Sequence, residues 1–285
     1  MLLGAHESVS GGLHLVFARA EEDGCRVVQL FTRSGRRWEA PPLGEQEIAA
    51  FVEARRASSV QLVVAHCSYL INLAAADEVV RQKSQRAIAQ ELDRCTALGI
   101  PLLVLHPGSV ADGEEVEVGI ARVARSLDAL LVAHPGSPAT ICLENTAGQG
   151  NSVGHRLEHL RWIIDAMAHG ARLGICLDTA HFFAAGYDLR SEEGYARTWA
   201  SYAEELGWER LRVLHLNDAL KGLGSRIDRH AHIGEGELGL ATFRRLLTDG
   251  RFAGLPGILE TPVDFTRPTP YQEELRLLRR LAAGG

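Results

Sequence analysis

Histidine, aspartate or glutamate closes one short apolar run after another in this chain. From the N-terminus, the residue at or just past the end of each run is His6, Phe31, His66, His106, Glu144, Asp178, His215 and Glu260. Others follow closely. His181 comes after Asp178 in D-T-A-H, and Asp228 and His230 form "DRH". The D-x-H spacing puts both side chains on one face of an extended segment. A single histidine at such a position is ordinarily a capped or half-buried residue. Brought together, these imidazoles and carboxylates would crowd like charges and unpaired polar groups into one cavity, at a cost on the order of several kcal/mol for each. A divalent metal removes that cost. The mixture suits zinc or manganese better than magnesium, which prefers oxygen alone. The candidate ligands are His66, His106, Glu144, Asp178, His181, His215, Asp228, His230 and Glu260. They exceed the needs of one ion and suffice for two or three if carboxylates bridge. His6 reads as a further ligand or as a partner of one. His14, His134, His155, His159 and His169 lie in helical or loop segments and read as structural; His232 shares a face with His230 and stays open.

The elements that must position this set can be read from the runs themselves. They are "LLGAH" (2–6), "VVQLF" (27–31), "LVVAH" (62–66), "LLVLH" (102–106), "TICLEN" (140–145), "LGICLD" (173–178), "LRVLHLND" (211–218) and "GILET" (257–261). Each is too short for a helix and rich in Val, Ile and Leu, as a parallel strand covered on both faces should be. Helical patterns lie between them. In "ADEVVRQKSQRAIAQELDRCTALG" the residues Val80, Ala87, Ile88, Leu92, Cys95 and Leu98 recur at helical spacing before Gly99. "LEHLRWIIDAMAHG" and "YARTWASYAEELG" likewise end on glycine. Strands alternating with helices over 285 residues predict a single-domain (β/α)8 TIM barrel spanning residues 1–285. The competing layout, an open doubly wound sheet, would want a glycine-rich phosphate loop, and "SVSGGLHL" is a poor match. In a barrel the carboxyl ends of all strands share one mouth, so the candidate ligands would meet there.

Composition narrows the class. The formal charge of −6 argues weakly against a nucleic-acid partner, since phosphate attracts cations. Bound divalent ions would offset that charge and hold four of the carboxylates away from solvent. The start "MLLGAHESVSGG" does not resemble a signal peptide, and no apolar stretch approaches the length of a membrane span. Cys25, Cys67, Cys95, Cys142 and Cys176 are odd in number and widely spaced, with no CxxC pair, which predicts reduced, mostly buried thiols and a cytoplasmic setting.

The segments "GAHESVSGG", "HCSYLINLA", "LHPGS", "LENTAGQGNSVG", "LDTAHFFAAGYDLR", "HLNDA", "GSRIDRHAHIGEG" and "ILETP" resemble, in order and over nearly the whole chain, the signatures of endonuclease IV, a family of DNA-repair enzymes acting at abasic sites. The resemblance implies a TIM barrel with three zinc ions per chain, manganese being an alternative at one site. It implies that His66 and His106 hold the first ion and that Glu144 bridges it to a second, held also by Asp178, His215 and Glu260. His181, Asp228 and His230 would hold the third. Zinc lowers the pKa of its water to about 7, so hydroxide becomes available to attack a phosphodiester without a nucleophilic side chain. Glu144 would then position that hydroxide. The implied reaction cuts the backbone 5′ to the abasic sugar, leaving a 3′-hydroxyl and a 5′-deoxyribose phosphate, and also trims blocked 3′ ends. The implied partner is double-stranded DNA, bound by a monomer, with no membrane involved.

The same resemblance gives roles to the basic loop "FTRSGRRW" and to "HCSYLINL". Arg36, Tyr69 and Leu70 would enter the minor groove, with Arg33, Arg37 and Arg226 as further DNA contacts. On composition alone the first segment is a solvated basic loop and the second a piece of core lining. Cys67, Ser34, Gly35 and Leu220 depart from residues common in the family, and Cys67 would disturb the metal if its thiol pointed inward. Sugar isomerases and epimerases share the barrel and need one ion, for which Glu144, Asp178, His215 and Glu260 would suffice. That reading leaves the other five candidates unexplained. A metal-stabilised DNA-binding protein without activity is the third class.

Overall fold

The computed structural model describes residues 1–263 and 269–284. Strands β1 (Leu2–His6), β2 (Val27–Leu30), β3 (Leu62–His66), β4 (Leu102–Leu105), β5 (Thr140–Glu144), β6 (Gly174–Asp178) and β7 (Leu211–His215) follow the apolar runs in order. A hairpin of β8 (Asp218–Ala219) and β9 (His230–Ala231) then intervenes before the last barrel strand, β10 (Pro256–Leu259). The eight barrel strands are all parallel, and β1 pairs with both β2 and β10, so the sheet closes. The fold is therefore the expected (β/α)8 TIM barrel and not an open doubly wound sheet. Closure at the β1–β2 seam depends on Gly4: a Cβ there would come within 1.6 Å of the Val27 carbonyl oxygen.

The helices lie between strands as the periodicity predicts. The helix at Glu78–Leu98 begins at Asp77, whose carboxylate accepts the Val79 N–H, and stops at Gly99 in the left-handed conformation. One expected stop differs. The helix at Leu157–Asp165 ends before Gly170, which opens a separate 3-10 turn.

Side chains alternate between the two surfaces of each barrel strand. Val27, Val64, Val104, Cys142, Cys176, Val213 and Ile258 form one apolar layer inside the barrel, joined by Leu2, Leu62 and Leu102. Two residues further along each strand, on the same inward face, stand Gln29, His66, His106, Glu144, Asp178, His215 and Glu260; on β1 the position is His6. The outward residues, such as Val63, Leu103, Ile141 and Leu214, pack under the helices in the main core. Burial on both surfaces explains the continuous apolar runs. It also explains why each run turns polar at its carboxyl end: the inward position there faces the mouth.

Candidate metal centre

Glu144 lies at the middle of the mouth, fully buried. Its Oε2 is 3.1 Å from His66 Nε2 and 2.9 Å from His106 Nε2. Its Oε1 is 3.0 Å from His215 Nδ1 and 3.4 Å from His181 Nδ1. His215 Nδ1 also lies 3.2 Å from Glu260 Oε2 and 3.9 Å from Asp178 Oδ2. Asp228 Oδ1 is 3.2 Å from His181 Nε2 and 3.6 Å from His230 Nε2. All nine candidate ligands thus converge at one rim. Among the described residues four sets offer potential ligand atoms within 4.8 Å of one another: His66, His106 and Glu144; Glu144, Asp178, His215 and Glu260; Asp178, His181 and His230; and Glu144, Cys176 and His215.

Local structure explains these placements. Asp178 ends β6 and caps the following helix, Thr179–Ala184, its Oδ1 accepting the His181 N–H at 2.8 Å. The D-T-A-H spacing therefore puts His181 in the first helical turn, beside its own cap. Asp228 and His230 come from the excursion after β7. That excursion wraps around Asp218, whose buried carboxylate accepts N–H groups of Ala219, Gly234, Gly236, Leu238 and Gly239. A Cβ at Gly236 would meet Asp218 Oδ1 at 2.5 Å, which explains the glycine of "GEG". Arg226 adopts φ 54 with its N–H on the Ala184 carbonyl, and Asp228 N–H donates to Gln149 Oε1. These contacts hold the turn that carries Asp228 over the mouth.

The imidazoles are oriented from behind. His66 Nδ1 is 2.7 Å from the Cys67 carbonyl, His181 Nδ1 3.0 Å from the Asn145 carbonyl and His230 Nδ1 3.0 Å from the Glu260 carbonyl. A carbonyl only accepts, so each Nδ1 donates to it and each ring turns its Nε2 toward carboxylate oxygens. The buried His230 Nε2 has no hydrogen-bond partner. An imidazole nitrogen held against carboxylates in this way takes up either a proton or a metal ion. The donor set therefore fits divalent metal of the zinc class.

The electrostatics agree. Burial would push the Glu144 carboxyl up, yet His106 and His215 hold it well below its ordinary range. Burial would lower His181, but Asp178 and Asp228 raise it well above the usual imidazole value. His66 is likewise raised, against its burial, by Glu144. Asp228 is pulled down to about 2: burial opposes, and His181 and His230 prevail. Without metal, protons supply the positive charge that this cavity demands.

Several residues that sequence reading passes over complete the site. Asn145 Oδ1 accepts the Asp178 N–H at 2.7 Å; Asn217 Nδ2 donates to Asp178 Oδ2 at 2.5 Å and Asn217 Oδ1 accepts the Glu260 N–H. Gln29 reaches Glu260, His6 and His215. The available signal is inward parity: Gln29 stands two positions after Val27. Phe31, the expected end of its strand, lies just beyond β2 and packs against the His6 ring, tilted, with centroids 4.4 Å apart. His6 is a partner of a candidate ligand, 3.2 Å from Glu260 Oε1. His232 turns away to Glu274. Cys67 offers its carbonyl to His66, and its thiol, pushed well up by burial and Glu91, is absent from the ligand sets found among the described residues. Cys176 Sγ does fall beside Glu144 and His215. All five cysteines are free and buried.

Around the site opens a cavity of about 1370 Å³, lined by His6, Tyr69, Leu70, His106, Asp228 and others. Tyr69 is 73% exposed and rests edge-on against Phe31 at 5.2 Å. Arg36, Arg37 and Arg226 are exposed. Arg33 is placed differently from expectation. It is 5% exposed, paired with Glu91 at 2.6 Å, and donates to the carbonyls of Arg37 and Trp38. Its charge is neutralised inside, and its role is to hold the arginine loop. Ser68 Oγ joins that loop to the Tyr69 segment by donating to the Gly35 carbonyl.

Residues 17–281 match the family described as the xylose isomerase-like TIM barrel. A relative from Chloroflexus aurantiacus, named probable endonuclease 4, is 48% identical over 259 residues, covering 91% of this chain and 90% of its own length. The crystal structure of endonuclease IV from Thermus thermophilus superposes with a TM-score of 0.87 at 33% identity, covering both chains completely. A D-tagatose 3-epimerase-like protein reaches 0.76 at 18% identity, a likeness of fold alone. No described helix is long and apolar enough to cross a membrane.

Proposed function

The chain belongs to the endonuclease IV family, and from that premise we propose that this nuclease, a hydrolase, cuts double-stranded DNA on the 5′ side of an abasic site. The products are a 3′-hydroxyl and a 5′-deoxyribose phosphate, and blocked 3′ ends are trimmed at the same site. The observation that carries this reading is the set of imidazoles whose ring nitrogens, oriented by backbone carbonyls, face buried carboxylates at one rim.

His66, His106 and Glu144 would hold one zinc ion. Glu144, Asp178, His215 and Glu260 would hold a second, and His181, Asp228 and His230 a third. When bound, such metal supplies Lewis-acid charge for the phosphate oxygens and a nucleophile at neutral pH. Glu144 presents one oxygen to each side of the mouth, so it fixes the spacing of two sets at once. The carbonyls of Cys67, Asn145 and Glu260 hold the rings in place before substrate arrives, which removes reorganisation from the reaction. Arg36, Tyr69 and Leu70 would wedge into the minor groove, with Arg37 and Arg226 as further DNA contacts. An abasic nucleotide is cheap to extrude because it has no base to unpair, which favours the damaged site.

The test is a nicking assay on a duplex with one abasic site. Incision should vanish on chelation and return with zinc. Intact, tightly bound duplex after zinc restoration would leave a DNA-binding protein without activity. Sugar epimerisation requiring one ion per chain would move the chain to the isomerase class.

A further inference from the structure

Gln29 is fully buried on β2, paired in register with His6 on β1. Its amide touches three groups of the mouth. Oε1 lies 2.9 Å from His215 Nε2, and Nε2 lies 2.5 Å from Glu260 Oε1 and 3.0 Å from His6 Nδ1. Only one orientation of the amide is consistent with these neighbours. An ionised carboxylate can only accept, so the NH2 group must face Glu260. The carbonyl oxygen then faces His215, and an acceptor there requires the proton on His215 Nε2. His215 Nδ1 is then the nitrogen turned to the centre, 3.0 Å from Glu144 Oε1 and 3.2 Å from Glu260 Oε2. The same contact occupies Glu260 Oε1 and turns Oε2 toward the centre.

We propose that Gln29 is a positioning residue: through one amide it sets both the tautomer of His215 and the rotamer of Glu260. The ligand atoms of the second set then converge before any ion arrives. His66, His181 and His230 are oriented by backbone carbonyls. His215 has this side chain instead, which makes the second set the one most open to tuning by substitution. The inference rests on reading Glu144, Asp178, His215 and Glu260 as a metal site, and its test separates the two.

Gln29→Leu removes all three hydrogen-bonding contacts at similar volume, and Gln29→Met does so with a more adaptable side chain. In the metal-free protein, at a pH alkaline enough to leave His215 neutral, nitrogen-resolved imidazole spectra should show it as one Nε2–H tautomer in the parent and as a mixture in the variants. Competition between Zn2+ and a chelator should show about a 10–100-fold loss of affinity for one ion, as removal of a ligand's outer partner typically produces. Circular dichroism checks that the barrel persists, and if the Leu variant fails to fold, the Met variant decides. A parental tautomer and parental zinc affinity in the folded variant would overturn the proposal. A parent that binds no zinc would defeat the metal reading, while the tautomer spectra would still report on Gln29.

Discussion

At the scale of single residues, the proposed function concentrates on Glu144 and on the orientation of four imidazoles. Glu144→Gln removes the charge that both halves of the site share and replaces one acceptor oxygen with a donor NH2 group. Incision should fall by more than about 100-fold, with zinc content reduced and the circular dichroism spectrum retained, a magnitude in keeping with loss of a main electrostatic group. The arginine loop gives a paired prediction. Arg33→Ala leaves Glu91 buried without its partner and should lower stability by about 3–5 kcal/mol in urea denaturation. Arg36→Ala should leave stability nearly unchanged and weaken duplex binding, with a smaller salt dependence. Glu7 makes a third case. Burial, reinforced by Asp23, raises its pKa to about 8 from an ordinary 4.5. The folded chain therefore keeps a proton that the unfolded chain releases. The associated stability is complete below about pH 4.5 and is lost as pH rises through about 8. Glu7→Gln should flatten that decline in a series of melts between about pH 5 and 8.

At the scale of elements, the excursion after β7 depends on one carboxylate. Asp218→Ala would strand up to five N–H groups in a closed turn, each costing about 1–3 kcal/mol if left buried and unmet. The segment should instead open. Zinc stoichiometry would then fall by one, and limited proteolysis would cut between residues 219 and 238. This excursion also marks where the sequence stops being readable. Barrel strands are visible because each must be apolar on both surfaces, and the run "LRVLHLND" carries that signature only as far as His215. Beyond it, two-residue strands have no periodicity to detect, and Asp218 looks like a surface acid until five backbone donors are seen converging on it. The candidate ligands were legible since His and Glu at successive strand ends are out of place in a core. Gln29, Asn145 and Asn217 were not, because a buried amide has no charge to explain and is recognised only from its partners. Arg33 misled for a related reason: among neighbouring arginines, spacing does not say which one turns inward to Glu91.

At the scale of the whole molecule, the candidate ligands come from separate strands and loops, so metal and fold are thermodynamically linked. Any ion bound only by the folded chain stabilises it in proportion to the logarithm of its saturation, about 2.7 kcal/mol at a hundred times the Kd. Dialysis against chelator should therefore lower Tm by several degrees, and added Zn2+ should restore it. An unaltered Tm would mean that the rim binds no ion tightly. The order of the strands has a further consequence. The first strand seals against the last, so His6 meets Glu260 across 254 residues of chain. During synthesis the N-terminal strand emerges with one flank exposed and waits for nearly the entire polypeptide before its neighbour exists. Until then the half-built sheet has an open border able to join other chains, and the centre lacks a wall. A nascent enzyme of this kind acquires its chemistry late and all at once, when the ring shuts.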